Sequence, residues 1–492
     1  MLHVRRNPII NWPVLLRVIG WLLMIESVFM LMPFAACLYY GEADWLPFLA
    51  SSALTGVVGA VLSYRIHPTF HHIGKRDGFL LTASVWVFFS LFGMLPFLIS
   101  TMPISLSDAF FEAMSGFTTT GSTVLTDVSD MSHGIHLWRA LMQWIGGMGI
   151  ILFTLAILPM LNHSGGMQMF NAEVTGITHD KIRPRISQTA KALWTIYIVL
   201  TLVLILLLWL GPMSLFESVC HAFGAISTGG YSTANESIAA WHSNYIKIVL
   251  IVFMFLGGVN FGLIYKCITG KVRDIWRNDV FRTYVSIIAV ALAIFSACIY
   301  FNNAGTGFTG YFIDPLFQIV STITSTGFTV ANFESWGSLV IAITFVLMFS
   351  GACAGSTSGG AKIDRMLYLF KNAGNEIYRC IYPNAIRPVI VSGKVINSDL
   401  VSKVIAFLCI YMLSVVFGGI ALTACGVPII DAFFSAFSCL SNTGLGAGVT
   451  GYGGSYDLLP DLAKWILSLL MLIGRLEIFT MLVLFLPSFW RH

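Results

Sequence analysis

Apolar residues in this chain gather into long unbroken runs, and the runs come in two lengths. Ten of them, near 12–40, 46–64, 79–100, 138–161, 189–210, 245–268, 283–302, 337–368, 400–424 and 462–488, are long enough to span a bilayer, whose core takes about 20 residues of helix. Four shorter pieces of about 10–14 residues have the length of a re-entrant segment. They fall between the third and fourth, fifth and sixth, seventh and eighth, and ninth and tenth long runs. Each short piece ends alike, in Thr119-Thr120-Gly121, Ser227-Thr228-Gly229, Ser325-Thr326-Gly327 or Asn442-Thr443-Gly444. The pattern predicts an all-α integral membrane protein. Two extra N-terminal transmembrane helices occupy 1–77, and four pseudo-repeats follow over 78–188, 189–281, 282–398 and 399–492. Each repeat reads helix, re-entrant pore helix, filter strand, helix, and all four surround one pore.

The short pieces also share an upstream register. Thirteen positions before the repeat glycine stand Asp108, Asp314 and Asp431, with Phe216 followed by Glu217 in the second copy. Ten positions before it stand Phe111, Phe317 and Phe434, with Val219 in the second. An acid at a helix start satisfies free N–H groups and complements the positive end of the dipole. The negative end of each half-helix then faces the Thr-Gly segment, which favours a cation there. Glycine lets a backbone turn its carbonyls toward a common axis, and rings of carbonyls replace the water shell of potassium in selective filters. One Thr-Gly is an ordinary turn signal. Four, with a shared acid and aromatic and each between two spans, predict a cation pore.

Composition agrees: 57% of the 492 residues are hydrophobic and 10% charged, against about 25% charged in a soluble domain. A net charge of +4 is too small to argue for a nucleic-acid partner. The placement of charge says more. With Arg5 and Arg6 inside, the same side receives Arg65, Lys75, Arg76, Lys181, Arg183, Arg185, Lys191, the basic residues of 266–282, and those of 371–403. The opposite side keeps mainly Glu42, Asp44, Asp127, Asp130, Glu236, Glu334 and Asp457. By the positive-inside rule both termini are cytoplasmic and the filter strands lie near the outer face. Nine cysteines stand apart with no CxxC pair, which reads as buried small hydrophobes. The first run is too long for a signal h-region and reads as a retained helix.

The last helix of each repeat carries glycines, at Gly146, Gly147 and Gly149, at Gly257 and Gly258, at Gly351 and Gly355, and at Gly474. Close helix packing explains the first two sets. In the third copy Gly351, Gly355, Ser356, Thr357, Ser358, Gly359, Gly360 and Lys362 leave no room for a smooth helix. Irregular backbone at membrane depth belongs in protein or beside a water-filled cavity, so this stretch is expected to be a gating loop under the filter. Arg475 lies midway along the last run, where an arginine is costly. It is expected to set an electrostatic barrier inside the filter; the alternative is a salt bridge from the last helix to an earlier repeat. Glu477, two residues on, projects from another face. The Gly355–Lys362 spacing departs from a phosphate loop by an inserted Ala361 and lacks a following Ser or Thr. His67, His71 and His72 sit beside Lys75 and Arg76, where a headgroup or partner contact fits better than a metal. No nucleophile–base arrangement points to an enzyme. Coupled symport with protons or sodium along the same path stays open as an alternative to gated permeation.

The four Thr-Gly segments, the broken third-repeat helix and the run Gly474-Arg475-Leu476-Glu477-Ile478-Phe479-Thr480 together resemble the Trk/Ktr/HKT superfamily of potassium transporters. The two additional N-terminal helices are similar to its bacterial TrkH-like branch. The resemblance implies potassium as the transported substrate, no cofactor in the chain, and an inner-membrane homodimer. It also implies a cytoplasmic, TrkA-like nucleotide-binding partner, for which the basic loops around 181–191, 266–282 and 379–403 are plausible docking surfaces. Potassium-facing carbonyls would come from Thr119, Thr120, Ser227, Thr228, Ser325, Thr326, Asn442 and Thr443, with filter glycines Gly121, Gly229, Gly327 and Gly444. The intramembrane gate would be residues 351–362, and the buried arginine Arg475. Relatives with serine at the first filter glycine tend toward sodium, so Gly121 implies potassium.

Overall fold

The computed structural model describes residues 10–66, 74–101, 104–149, 186–305, 307–452 and 454–491. Arg5, Arg6, His67, His71, His72, Lys181, Arg183, Arg185 and the part of the 138–161 run beyond Gly149 lie outside the described residues. Helices α1 (Trp12–Tyr40) and α2 (Trp45–Arg65) form an antiparallel pair at the N-terminus. The first repeat holds α3 (Lys75–Gly93), its continuation α4 (Leu95–Ile99), the short α5 (Leu106–Phe117) and α6 (His133–Gly147). The second holds α7 (Ile186–Trp209), the short α8 (Leu215–Ile226), α9 (Asn244–Gly257) and α10 (Phe261–Ile268). In the third are α11 (Asp279–Phe301), the short α12 (Asp314–Ile323), α13 (Ser338–Ser350) and α14 (Ile363–Ile381). The fourth has α15 (Ser398–Ala424), the short α16 (Ile429–Leu440), α17 (Asp461–Arg475) and α18 (Ile478–Phe485).

The core sits around the four short helices. Every residue of α5 from Ser107 to Phe117 is buried, as are most of α12 and α16. The long helices instead leave apolar side chains such as Leu202, Val290 and Phe417 more than half exposed. Apolar surface turned outward on a helix of spanning length is what hydrocarbon solvates. This is a multi-pass membrane protein, with six described helices of spanning length and two further bent pairs.

The bent pairs correct two of the spans. The 245–268 run turns by 102° between α9 and α10, and the 462–488 run by 116° between α17 and α18. At the first bend the Asn260 side chain accepts from Gly262 N (2.7 Å) and Leu263 N (3.2 Å), so a new helix start is capped inside an apolar run. At the second, Glu477 takes a positive φ of 61°, which no helix continues through. In the third repeat residues 351–362 are non-helical, as the glycines predict.

The expected filter strands are irregular, unpaired turns. Among the described residues the only ladder is the hairpin β1 (Val389–Val391) and β2 (Lys394–Ile396), with Val389 opposite Ile396. The Thr-Gly segments bond back to their own short helices instead.

Candidate functional site: a ring of four glycine turns

Each short helix ends in the same backbone motif. A residue in the left-handed region follows the helix: Thr119 (φ 54°), Thr228 (55°), Ser325 (53°) and Asn442 (51°). Two residues later comes a glycine with larger positive φ: Gly121 (84°), Gly230 (80°), Gly327 (84°) and Gly444 (75°). Between them, the N–H groups of Thr120, Gly229, Thr326 and Thr443 donate to Ser115 O (2.9 Å), Gly224 O (2.8 Å), Ser321 O (2.8 Å) and Ser438 O (3.0 Å). The equivalent triplet in the second repeat is therefore Thr228-Gly229-Gly230, one residue beyond the expected Ser227-Thr228-Gly229. Counting thirteen back from Gly230 reaches Glu217, so the acid register holds in all four copies; ten back gives Cys220 in place of the aromatic.

The four turns close on one another. A Cβ added to Gly121 would come within 3.0 Å of Gly229 O, one on Gly230 within that distance of Thr326 O, one on Gly327 of Thr443 O, and one on Gly444 of Thr120 O. First repeat touches second, second touches third, third touches fourth, and fourth touches first. Such a circuit of equivalent contacts requires a shared axis. A side chain at any of these positions would meet both the positive φ and a neighbour's carbonyl. Two cavities flank the ring. The upper one, about 130 Å³, is lined by all four ring glycines together with Arg139, Tyr231 and Tyr456. The lower one, about 110 Å³, is lined by Asn442, Gly359, Lys362, Arg475 and Glu477 among others. Among the described residues no three His, Cys, Asp or Glu side chains gather as a metal site. The oxygen atoms nearest the ring glycines' Cβ positions are main-chain carbonyls.

The short-helix starts explain the shared acids. Ser105 and Ser214 are the caps, accepting from Asp108 N and Glu217 N (3.2 Å each). The acids sit in the first turn rather than capping directly; Glu217 returns a bond to Ser214 N (2.7 Å), closing a capping box. Lysines of the preceding repeat's last helix then clasp two of these acids: Lys464 holds Asp108, and Lys247 holds Asp314 at 2.6 Å. Both lysines lie ten residues before the helix glycine, Gly474 or Gly257, a matched pair that inspection of the acidic face alone overlooks. Both members of the Lys464 clasp are largely buried. Lys464→Met is expected to lower folding stability by about 3–5 kcal/mol by stranding Asp108, read as a fall in the unfolding midpoint in detergent. Lys464→Met combined with Asp108→Leu is expected to recover much of that loss.

The 351–362 loop lies under the ring and is bonded to it. Thr357 Oγ1 donates to Ile226 O and Gly257 O (3.1 Å each), and Gly359 N donates to Ser325 Oγ. Ser356 Oγ donates to Cys353 O (2.6 Å), and Lys362 Nζ donates to Ser358 O. Gly351, Gly355, Gly360 and Lys362 all have positive φ. Arg475 reaches across from α17 and donates to Thr357 O (3.1 Å) in the loop and to Gly147 O (2.9 Å) and Gly146 O in the first repeat. It thus links the fourth repeat to the third and first through backbone carbonyls. Glu477 does project elsewhere, pairing with Arg365 across the third-repeat break. The glycines of the first two sets pack as expected: a Cβ on Gly146 would meet Phe117 O, and one on Gly258 would meet the Thr324 side chain.

Three buried polar features carry no signature in the amino-acid sequence. Glu112 and Arg139, both buried, pair at 2.8 Å beneath the upper cavity, and Arg139 lies 4.1 Å from the Tyr231 ring centroid. Both stand inside apolar-rich segments with no spacing signature. Glu26 in α1 is fully buried with neither carboxylate oxygen hydrogen-bonded, packed near Gly93 and away from the ring. Gln143 on α6 contacts the second-repeat turn. At the upper rim, the Asn235 amide and Ser129 N hold the Asp127 carboxyl below the usual range, which keeps a negative charge there into mildly acidic conditions.

The chain is similar to known cation transport proteins over nearly its whole length. The TrkH family of cation transport proteins matches residues 47–491. The potassium uptake protein TrkH of Escherichia coli K12 is 35% identical, covering 97% of this chain and 99% of its own. The E. coli protein TrkG is 32% identical over 96% of this chain and 97% of its own. The crystal structure of the potassium transporter TrkH from Vibrio parahaemolyticus superposes with a TM-score of 0.88 at 34% identity, covering 98% of this chain and all of that one.

Proposed function

Since the chain belongs to the TrkH family of cation transport proteins, we propose that it takes up potassium across a bacterial inner membrane through the glycine ring. It is a transporter, not an enzyme. The closed circuit of contacts from Gly121 through Gly230, Gly327 and Gly444 carries this reading. The filter is formed by Thr119, Thr120, Gly121, Thr228, Gly229, Gly230, Ser325, Thr326, Gly327, Asn442, Thr443 and Gly444. Their carbonyls stand in for the water lost by a dehydrated monovalent cation, and the negative ends of four short helices favour its charge. The upper cavity is the outer mouth and both termini are cytoplasmic, as the lysine and arginine distribution supports. Residues 351–362 and Arg475 form the gate between ring and lower cavity. A second copy of the chain, surrounding lipid and a TrkA-like cytoplasmic nucleotide-binding subunit on the loops around 266–282 and 379–403 complete the assembly.

Expression in a bacterial strain lacking potassium uptake tests the reading. The wild-type chain with its cytoplasmic partner is expected to restore growth at low potassium, and Gly121→Ser to weaken potassium over sodium selection. No growth from well-expressed wild type would contradict the assignment.

A further inference from the structure

The ring is fourfold in its backbone but not in what touches its carbonyls. In three repeats the middle residue of the triplet is a threonine whose hydroxyl pairs at 2.8 Å with a hydroxyl two residues earlier: Thr120 with Thr118, Thr326 with Thr324, Thr443 with Ser441. The carbonyls of Thr120, Thr326 and Thr443 accept no hydrogen bond among the described residues. In the second repeat the middle residue is Gly229, and the Ser227 hydroxyl donates to Gly224 O instead (3.2 Å). The space a threonine side chain would fill is taken by Gln143 of the first repeat, whose Cδ and Oε1 lie within 3.0 Å of any Cβ on Gly229.

Gln143 is bonded at both ends of its amide. Its Nε2 donates to Gly229 O (2.8 Å), and its Oε1 accepts from Tyr231 N (3.1 Å). Both residues flank the ring glycine Gly230, and Nε2 comes within 3.8 Å of a Cβ placed on Gly121. The Gln143 side chain is fully buried, so neither bond competes with water.

We propose that Gln143 sets the affinity of the ring for its cation by occupying one of the four carbonyls. The inference rests on the ring being the potassium filter. An N–H directed at Gly229 O draws on that oxygen's lone pairs and places positive hydrogen beside the ion's path, so the fourth ligand is weaker than the other three. An uneven ring releases its ion more readily than four equal carbonyls would, as conduction requires. Gly229 and Gln143 therefore form a matched pair: the glycine is present because the glutamine fills its place.

Rubidium uptake into proteoliposomes, with half-saturation read separately from maximal rate, tests this. Gln143→Ala combined with Gly229→Thr replaces the amide with the arrangement of the other repeats, the new hydroxyl meeting that of Ser227. It is expected to lower half-saturating rubidium by roughly fivefold, the size of one hydrogen bond, without raising the maximal rate. Gln143→Met, which keeps side-chain length and removes the N–H, should shift affinity the same way. Gly229→Thr alone, clashing with Gln143, should lose uptake that the double variant regains. Unchanged or weaker rubidium affinity in folded Gln143→Met and in the double variant, with wild-type uptake intact, would overturn the proposal. Absence of wild-type uptake would instead contradict the filter itself.

Discussion

Gly230→Ala is expected to abolish selective potassium uptake, while Gly229→Ala, one residue earlier, reduces it less. Gly230 holds a φ of 80°, and a Cβ there would collide with Thr326 O in the next repeat. The backbone conformation alone costs about 1–3 kcal/mol in a non-glycine residue, and relieving the contact means moving a ring carbonyl. Together these predict a roughly hundredfold or greater loss of potassium transport, equal to that of Gly327→Ala. A Cβ on Gly229 meets the Gln143 side chain rather than a ring carbonyl, and Gly229 is not among the residues with positive φ, so the loss there is smaller. The measurement is tracer uptake at matched surface expression, with sodium as competitor. Equal sensitivity of the two neighbouring glycines would show that the second repeat does not follow the register of the other three.

Arg475→Ala is expected to raise potassium flux, and Arg475→Lys to raise it less. The guanidinium bonds to Thr357 O in the loop and to Gly146 O and Gly147 O in the first repeat, and it places a positive charge beside the lower cavity. Hydrogen bonds from a charged group each contribute about 1.5–3 kcal/mol. Losing even one that holds the loop closed shifts its open population about tenfold. Lysine keeps the charge but lacks the planar fork that reaches carbonyls of two repeats. Flux in Arg475→Lys equal to wild type would assign the effect to charge. Flux equal to Arg475→Ala would assign it to the tether.

The fold was legible where hydropathy and spacing set it. Run lengths located the long helices, and the four short pieces with their acids located the pore helices. Glycine density marked the third-repeat break. The sharp bends at Asn260 and Glu477 were hidden because both arms of each bend are apolar, and a hydropathy run carries no direction. The second-repeat register is hidden because its Thr-Gly dipeptide stands one residue ahead of the turn. The ring instead requires a left-handed residue followed two positions later by glycine, and in this repeat Gln143 has displaced the threonine. Its contact crosses from residue 143 to 229, a distance in the chain that no local pattern reports. The Lys464–Asp108 clasp spans still further. Its trace in the amino-acid sequence is a lysine at a matched position in two repeats, which stands out only once the repeats are aligned by structure.

The most direct measurement is anomalous diffraction from crystals of the protein grown or soaked in rubidium. The account predicts a peak on the axis between Gly121, Gly230, Gly327 and Gly444, diminished when sodium replaces rubidium and lost in Gly230→Ala. Rubidium bound away from that axis, with the ring bare at the same concentration, would contradict it.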